Sequence, residues 1–114
     1  MWCPVASEHD EQRMFVGWFR ATFPTVRIFA IPNGGGRSPR EGAKLRDEGV
    51  SPGVPDLLVP EWCLWVEMKR ASGGVVSAVQ EDWHRYLKSI GHAVMVCHGY
   101  EQARTMVLAW KGDE

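Results

Sequence analysis

The chain has 114 residues, 45% of them hydrophobic, and a net charge of −1. This is enough for one domain with a single core, 1–114, and too apolar for a disordered chain. The near-neutral balance neither advertises nor excludes a nucleic-acid partner; such a partner would need a local basic patch, and Arg37, Arg40, Lys44 and Arg46 do lie close together.

Ser7 is placed to cap a helix that begins at Glu8, with Glu8, Asp10 and Glu11 in the first turn, where the helix dipole favours acids. Met14, Phe15, Trp18 and Phe19 recur at helical spacing and are expected on its buried face, and Pro24 ends it. The β-branched, apolar run 26-VRIFAI-31 predicts a strand. The turn-formers and arginines of 32-PNGGGRSPREG-42 predict a loop, with a short helix over about 40–48. Two strands are expected at 56-DLLV-59 and 62-WCLWVEMK-69, turning at Pro60 and Glu61. Gly73 and Gly74 then break the chain, and Ser77 caps a helix from about 78 to 90. Val79, Trp83, Tyr86, Leu87 and Ile90 carry the helical period there, and Gly91 suits its end. A strand at 92-HAVMVCH-98 and a last helix over about 100–110 complete the order. A long helix between the third and fourth strands is the kind of crossover that joins parallel strands. The expected architecture is α/β: one mixed sheet flanked by helices.

The charges inside the second hairpin strand need an explanation. Alternation puts Leu64, Val66 and Met68 on one face and Trp65, Glu67 and Lys69 on the other. Folding the two strands about residues 60 and 61 brings Asp56 to Glu67 within a residue or two of register. Two adjacent carboxylates repel unless a cation lies between them. A hard divalent ion such as magnesium takes oxygen ligands and keeps several waters, and the Met68 carbonyl would add a ligand. Lys69 would stand beside it, able to position a water or stabilise charge on a phosphate. Against this stands an ordinary Asp56–Lys69 or Glu67–Lys69 ion pair on an exposed face, which is the commoner meaning of an acid-x-lysine triplet taken alone.

The spacing is more specific than the triplet. Gly53-Val54-Pro55-Asp56 followed at a distance by Glu67-Met68-Lys69 resembles the PD-(D/E)XK nuclease superfamily. The segments 8-EHDEQ-12, 31-IPNGGGR-37, 48-EGVSPGVPDLLVP-60, 66-VEMKR-70 and 77-SAVQEDWHRYLKSIGH-92 together resemble its VRR-NUC group, from about residue 7 to 104. The resemblance implies a restriction-endonuclease-like core in αβββαβ order and a Mg²⁺-dependent endonuclease, with Mn²⁺ able to substitute. It implies that Asp56 and Glu67 hold metal and that Lys69 is the catalytic lysine. Gln80 would face the site from the next helix, and Glu8 would be the first-helix acid and possible ligand of a second metal. Glu11 is also available; Glu8 is preferred because Glu8 and Gln12 are i, i+4 and can share a face. Stand-alone members of this size resemble phage or bacterial resolvases that cut branched DNA, such as four-way (Holliday) junctions, as homodimers. The alternative is a non-catalytic, accessory DNA-binding module of the same fold. A sequence-specific restriction-type enzyme would need a larger recognition surface.

Asn33, Gly34, Gly35 and Gly36 read as an uncrowded loop; glycine richness alone would equally mean a flexible turn with solvated arginines, but the resemblance implies that its backbone approaches a DNA phosphate, with Arg37, Arg40 and Lys44 beside it. Of the histidines, His9 lies near Glu8 and is a candidate helper, whereas His84 reads as ordinary surface or packing. The tryptophans read as core or dimer contacts. Cys3, Cys63 and Cys97 form no CxxC pair, so neither a zinc ribbon nor a disulfide framework is supported. Reduced thiols are expected, Cys63 and Cys97 in strands, in the cytoplasm of a bacterial or phage-infected cell. No apolar run approaches the roughly 20 residues of a membrane span, and the first residues lack signal-peptide character, so no membrane partner is expected.

Overall fold

A computed structural model describes residues 6–32 and 38–112. The candidates Asn33, Gly34, Gly35 and Arg37 lie outside the described residues, as does Cys3. In chain order the elements are α1 (Glu8–Thr22), β1 (Phe29–Ala30), α2 (Pro39–Asp47), β2 (Leu57–Val59), β3 (Leu64–Lys69), α3 (Ala78–Ser89), β4 (Ala93–His98) and α4 (Tyr100–Gly112). The sheet order is β1-β2-β3-β4. β1 and β2 pair antiparallel, as do β2 and β3, and β3 pairs parallel with β4 across the α3 crossover. This is the expected mixed sheet, with α2 inserted and α4 added to the αβββαβ core.

The hairpin turns through a 3₁₀ helix, Pro60–Trp62, rather than a two-residue turn, and Cys63 closes it with φ 47°. Cys63 is therefore an exposed turn residue outside the strand, while Cys97 is buried in β4. β1 is much shorter than the run 26–31 suggests. Ile28 is buried, yet both residues of β1 are exposed because β1 lies at the sheet edge. The amide of Ile31 still reaches the Asp56 carbonyl at 2.8 Å, so pairing continues just past the strand and pins the Asp56 backbone.

Alternation in β3 produces the expected division. Leu64, Val66 and Met68 are fully buried in the core with Phe15, Phe19, Leu57, Val59, Cys97 and Val107. Complete burial of side chains this size contributes roughly 2 kcal/mol each. Met14, expected inward, is 37% exposed. Its place on the inner side of α1 is taken by Glu11 and Phe15.

The aromatic residues set the direction of the helices. Trp62, at the turn end of the hairpin, packs edge-on against Phe19 near the end of α1 and Phe23 at its C-cap, and at a tilt against Trp110 from the last turn of α4. Pairs of this kind add about 0.5–1.5 kcal/mol each beyond area burial. With the C-terminal ends of α1 and α4 held at the turn end, their N-termini lie at the opposite end, where β2 starts and β3 finishes.

One buried acid completes that arrangement. Glu11 is 8% exposed, and its Oε2 accepts from the Tyr100 amide at 3.1 Å. A carboxylate of α1 thus caps the N-terminus of α4, where amides lack intrahelical partners and the dipole favours negative charge. Gly99 makes room for it. Its φ is 93°, and a Cβ there would strike the Glu11 carboxylate and Ala71.

Candidate active site

Asp56 stands immediately before β2. With Leu57 paired to Val66, one step outward sets Asp56 opposite Glu67. The Met68 amide donates to Asp56 Oδ2 at 2.7 Å, which fixes the carboxylate across the hairpin. The preceding loop is held against α3 by a close approach: Gly53 has φ 91°, and a Cβ there would lie 2.8 Å from the Val79 carbonyl oxygen. No other residue type fits that contact without moving the loop that delivers Asp56.

α3 lies over the charged face of β3. Its start is defined by a capping box in which Ser77 Oγ accepts from the Gln80 amide at 3.3 Å and Gln80 Oε1 accepts from the Ser77 amide at 2.9 Å. The same Oε1 accepts from Lys69 Nζ at 2.9 Å, and Gln80 Nε2 donates to Glu67 Oε2 at 3.4 Å. Two donors on one end of the amide and a carboxylate at the other settle which way it points. Gln80 therefore links the helix cap to both Glu67 and Lys69.

One turn further along α3, His84 Nε2 lies 3.3 Å from Glu67 Oε1. His84 is buried, at 7% exposure, and burial followed by the nearby Lys88 lowers its pKa from the ordinary imidazole value. When Glu67 is ionised, the ring can donate to it from Nε2; when Glu67 keeps its proton, the carboxyl can donate to that nitrogen instead. Sequence reasoning missed this residue. The available signal was its i, i+4 relation to Gln80, which places both on one helix face. Of the period expected on α3, Leu87 is buried and Trp83 half-buried, but Val79, Tyr86 and Ile90 are exposed, and Gln80 and His84 turn inward beside Leu87. The strand face below is polar, so polar side chains meet it.

Glu67 is 1% exposed, and its pKa is raised to about 9. Burial is the largest cause, followed by a hydrogen bond to Asp56 and the Asp56 charge; Lys69 pulls the other way and Glu8 adds to the rise. Glu8, though exposed, is thus within electrostatic reach of Glu67, whereas Glu11 is committed to α4. Arg40 and Lys44 are exposed on α2, a helix with no buried residue, and no contact joins them to this centre among the described residues.

The donor set suits a hard divalent cation. Two facing carboxylates, one of them fully buried, share a space in which both ionise only if positive charge is supplied. No three His, Cys, Asp or Glu side chains converge as a metal cluster among the described residues. Magnesium does not require that many, since it retains water and is commonly held through one or two carboxylates.

The fold and the site define a small α/β protein with two carboxylates, a lysine and a glutamine gathered at the open end of a hairpin. Among solved structures, a chain described as "VRR_NUC domain protein" superposes with a TM-score of 0.77, covering 94% of this chain and 89% of that one, at 19% identity. The chain therefore has the restriction-endonuclease-like fold of a VRR-NUC domain protein. No protein-family model and no curated protein matches it. No helix among the described residues is long and apolar enough to cross a membrane.

Proposed function

We propose that the chain is a metal-dependent endonuclease that hydrolyses phosphodiester bonds in DNA. The observation that carries this reading is the convergence of Asp56, Glu67, Lys69 and Gln80, from three separate segments, at one end of a VRR-NUC fold. Asp56 and Glu67, with the Met68 carbonyl, would hold Mg²⁺ or Mn²⁺, and Glu8 would engage a second ion where one binds. Such an ion supplies Lewis acidity toward a phosphate oxygen and lowers the pKa of water.

The chain's own groups do the rest. Lys69 is 7% exposed, and Gln80 holds its ammonium beside Glu67. From there it can orient a water for in-line attack and stabilise the charge that grows on the phosphate oxygens. Gln80 and His84 hold the two oxygens of Glu67, so the carboxylate cannot rotate away. Asn33, Gly34, Gly35, Arg37, Arg40 and Lys44 would meet DNA phosphates. Branched DNA, such as a four-way junction, cut by a homodimer with one active site per strand, is the substrate and assembly we assign.

The test is a cleavage assay with Mg²⁺ or Mn²⁺ on linear duplex, single strand, flap and four-way junction, alongside Asp56→Ala. Expected are cuts in branched DNA by the native chain and none by the variant. Equal cutting by both would refute the metal-site assignment, and absence of cutting on every substrate would refute the nuclease reading.

A further inference from the structure

A groove of about 410 Å³ runs between α1 and the edge of the sheet, lined on the helix side by His9, Gln12, Arg13, Val16, Gly17 and Arg20. These residues follow i, i+3, i+4 steps and form one stripe of α1. The opposite wall includes Phe29, which is 44% exposed on the edge strand. Past Arg20 and Phe29 the groove continues into a second depression that Arg27 also lines. At its other end His9 adjoins Glu8, which acts on Glu67.

Two observations say what the groove is for. First, its lining holds Arg13, Arg20 and Arg27 and no acid, in a chain with 14 acidic residues against 13 basic. Arg20 spends one donor on the Ile28 carbonyl, at 3.2 Å, and retains others; Arg13 makes no hydrogen bond or ion pair among the described residues. Second, Gly17 sits in the interior of α1, where glycine is the poorest helix former after proline. Neither packing nor backbone geometry requires it: a Cβ there would meet nothing within 4 Å. Its effect is a bare strip of helix at the centre of the groove, open to close approach.

We infer that this groove takes a single, unpaired DNA strand, with phosphates along the Arg13–Arg20 stripe of α1, a sugar or phosphate against Gly17, and a base against Phe29. Positive charge tracking the backbone, combined with an aromatic platform, is the chemistry of sequence-tolerant single-strand binding. From Arg13 to Arg20 the helix advances about 10 Å, roughly three nucleotides at a stacked strand's rise. The inference rests on the nuclease reading and deepens it. The strand leaving a branch point would run from the Asp56–Glu67 end along α1, separately from the DNA-phosphate contacts assigned to Arg40 and Lys44.

The test measures binding of fluorescent single-stranded, duplex and flap oligonucleotides in EDTA, so that nothing is cut, for the native chain, Gly17→Leu, Gly17→Ala and Arg13→Gln. Gly17→Leu should weaken single-strand and flap binding about tenfold or more with duplex binding changed less than twofold. Gly17→Ala should raise the melting temperature, because alanine favours helix, while weakening single-strand binding in the same direction. Arg13→Gln should reduce the salt slope by about one phosphate contact. Native affinity for single strands in Gly17→Leu, with a native melting temperature, overturns the inference. So does a change in sedimentation behaviour without a change in DNA binding, which would assign the groove to a second copy of the chain. If the native chain cuts flaps with Mg²⁺ and the groove variants cut them equally, the groove assignment fails and the nuclease reading stands. If the native chain neither binds nor cuts any DNA, both fail.

Discussion

Replacing Glu67 with glutamine should make the metal-free protein more stable at neutral and alkaline pH. The group's ordinary value is 4.5, and in the folded chain it is raised to about 9. Below about pH 4.5 the carboxyl is protonated whether the chain is folded or not, and it contributes nothing to the pH dependence. Between about 4.5 and 9 the unfolded chain releases the proton and the folded chain keeps it, so each pH unit favours unfolding by up to about 1.4 kcal/mol. Over the 2.5 units up to pH 7 this comes to about 3 kcal/mol, and relaxation of the site and its coupling to Asp56 reduce it to about 1–3 kcal/mol. Asp56, Lys69, Glu8 and His84 are the titratable groups around it, and all remain in the variant. A glutamine at 67 has one oxygen and one amide nitrogen: the oxygen can accept from Gln80, and the nitrogen can donate to Asp56 or to His84 Nε2 in its other tautomer. The assay is thermal unfolding without divalent ions from pH 5 to pH 8 for both proteins. The melting temperatures should nearly coincide at pH 5 and separate by about 5 °C or more at pH 8, with the glutamine variant higher. Added Mg²⁺ should close the gap by raising the native chain alone. Parallel profiles with no separation at pH 8 would refute the claim that Glu67 is a strained acid in need of a cation.

His84→Leu should weaken Mn²⁺ binding about tenfold or more in calorimetry, because Glu67 Oε1 loses its donor; His84→Asn should restore part of it. Lys69→Met should lower cleavage at least 100-fold and leave Mn²⁺ affinity within a few-fold; loss of metal binding would make the lysine a structural element. Glu11→Ala should destabilise the fold by about 1 kcal/mol by uncapping α4, seen as a lower melting temperature, while the relative rates on different DNA structures stay as in the native chain.

Wherever a single physical rule governs an element, the residues alone were enough to read it. Alternation in β3 separated the core face from the charged face, and the hairpin register brought Asp56 to Glu67. Ser7 and Ser77 marked both helix starts through their caps. Reading failed where tertiary context reversed a rule. On α3 the apolar period pointed to Val79, Tyr86 and Ile90, yet the surface beneath that helix is the polar side of β3, so the helix turns Gln80 and His84 inward. Hydrophobic periodicity finds the inward face only when the surface it packs on is apolar. Glu8 and Glu11 could not be separated from sequence for a related reason. Both are first-turn acids, and only the docking of α4, 89 residues away in the chain, assigns Glu11 to the Tyr100 amide.

The two ends of the hairpin divide the work of the molecule. At the turn end, Phe19, Phe23, Trp62 and Trp110 interlock around the 3₁₀ turn. That cluster orients α1 and α4, so it determines where Glu8 and Glu11 fall even though it touches neither. At the open end a buried acid faces a second acid, a lysine is held under a helix, and two glycines are kept in left-handed backbone to permit close approaches. Each of these features opposes folding or contributes little to it. A site that strains the fold at one end requires stability supplied elsewhere, by the buried core and by the aromatic cluster at the turn end. A truncation at Trp62 or Trp110 should therefore loosen the distant carboxylate pair, through helix placement, before it abolishes the sheet.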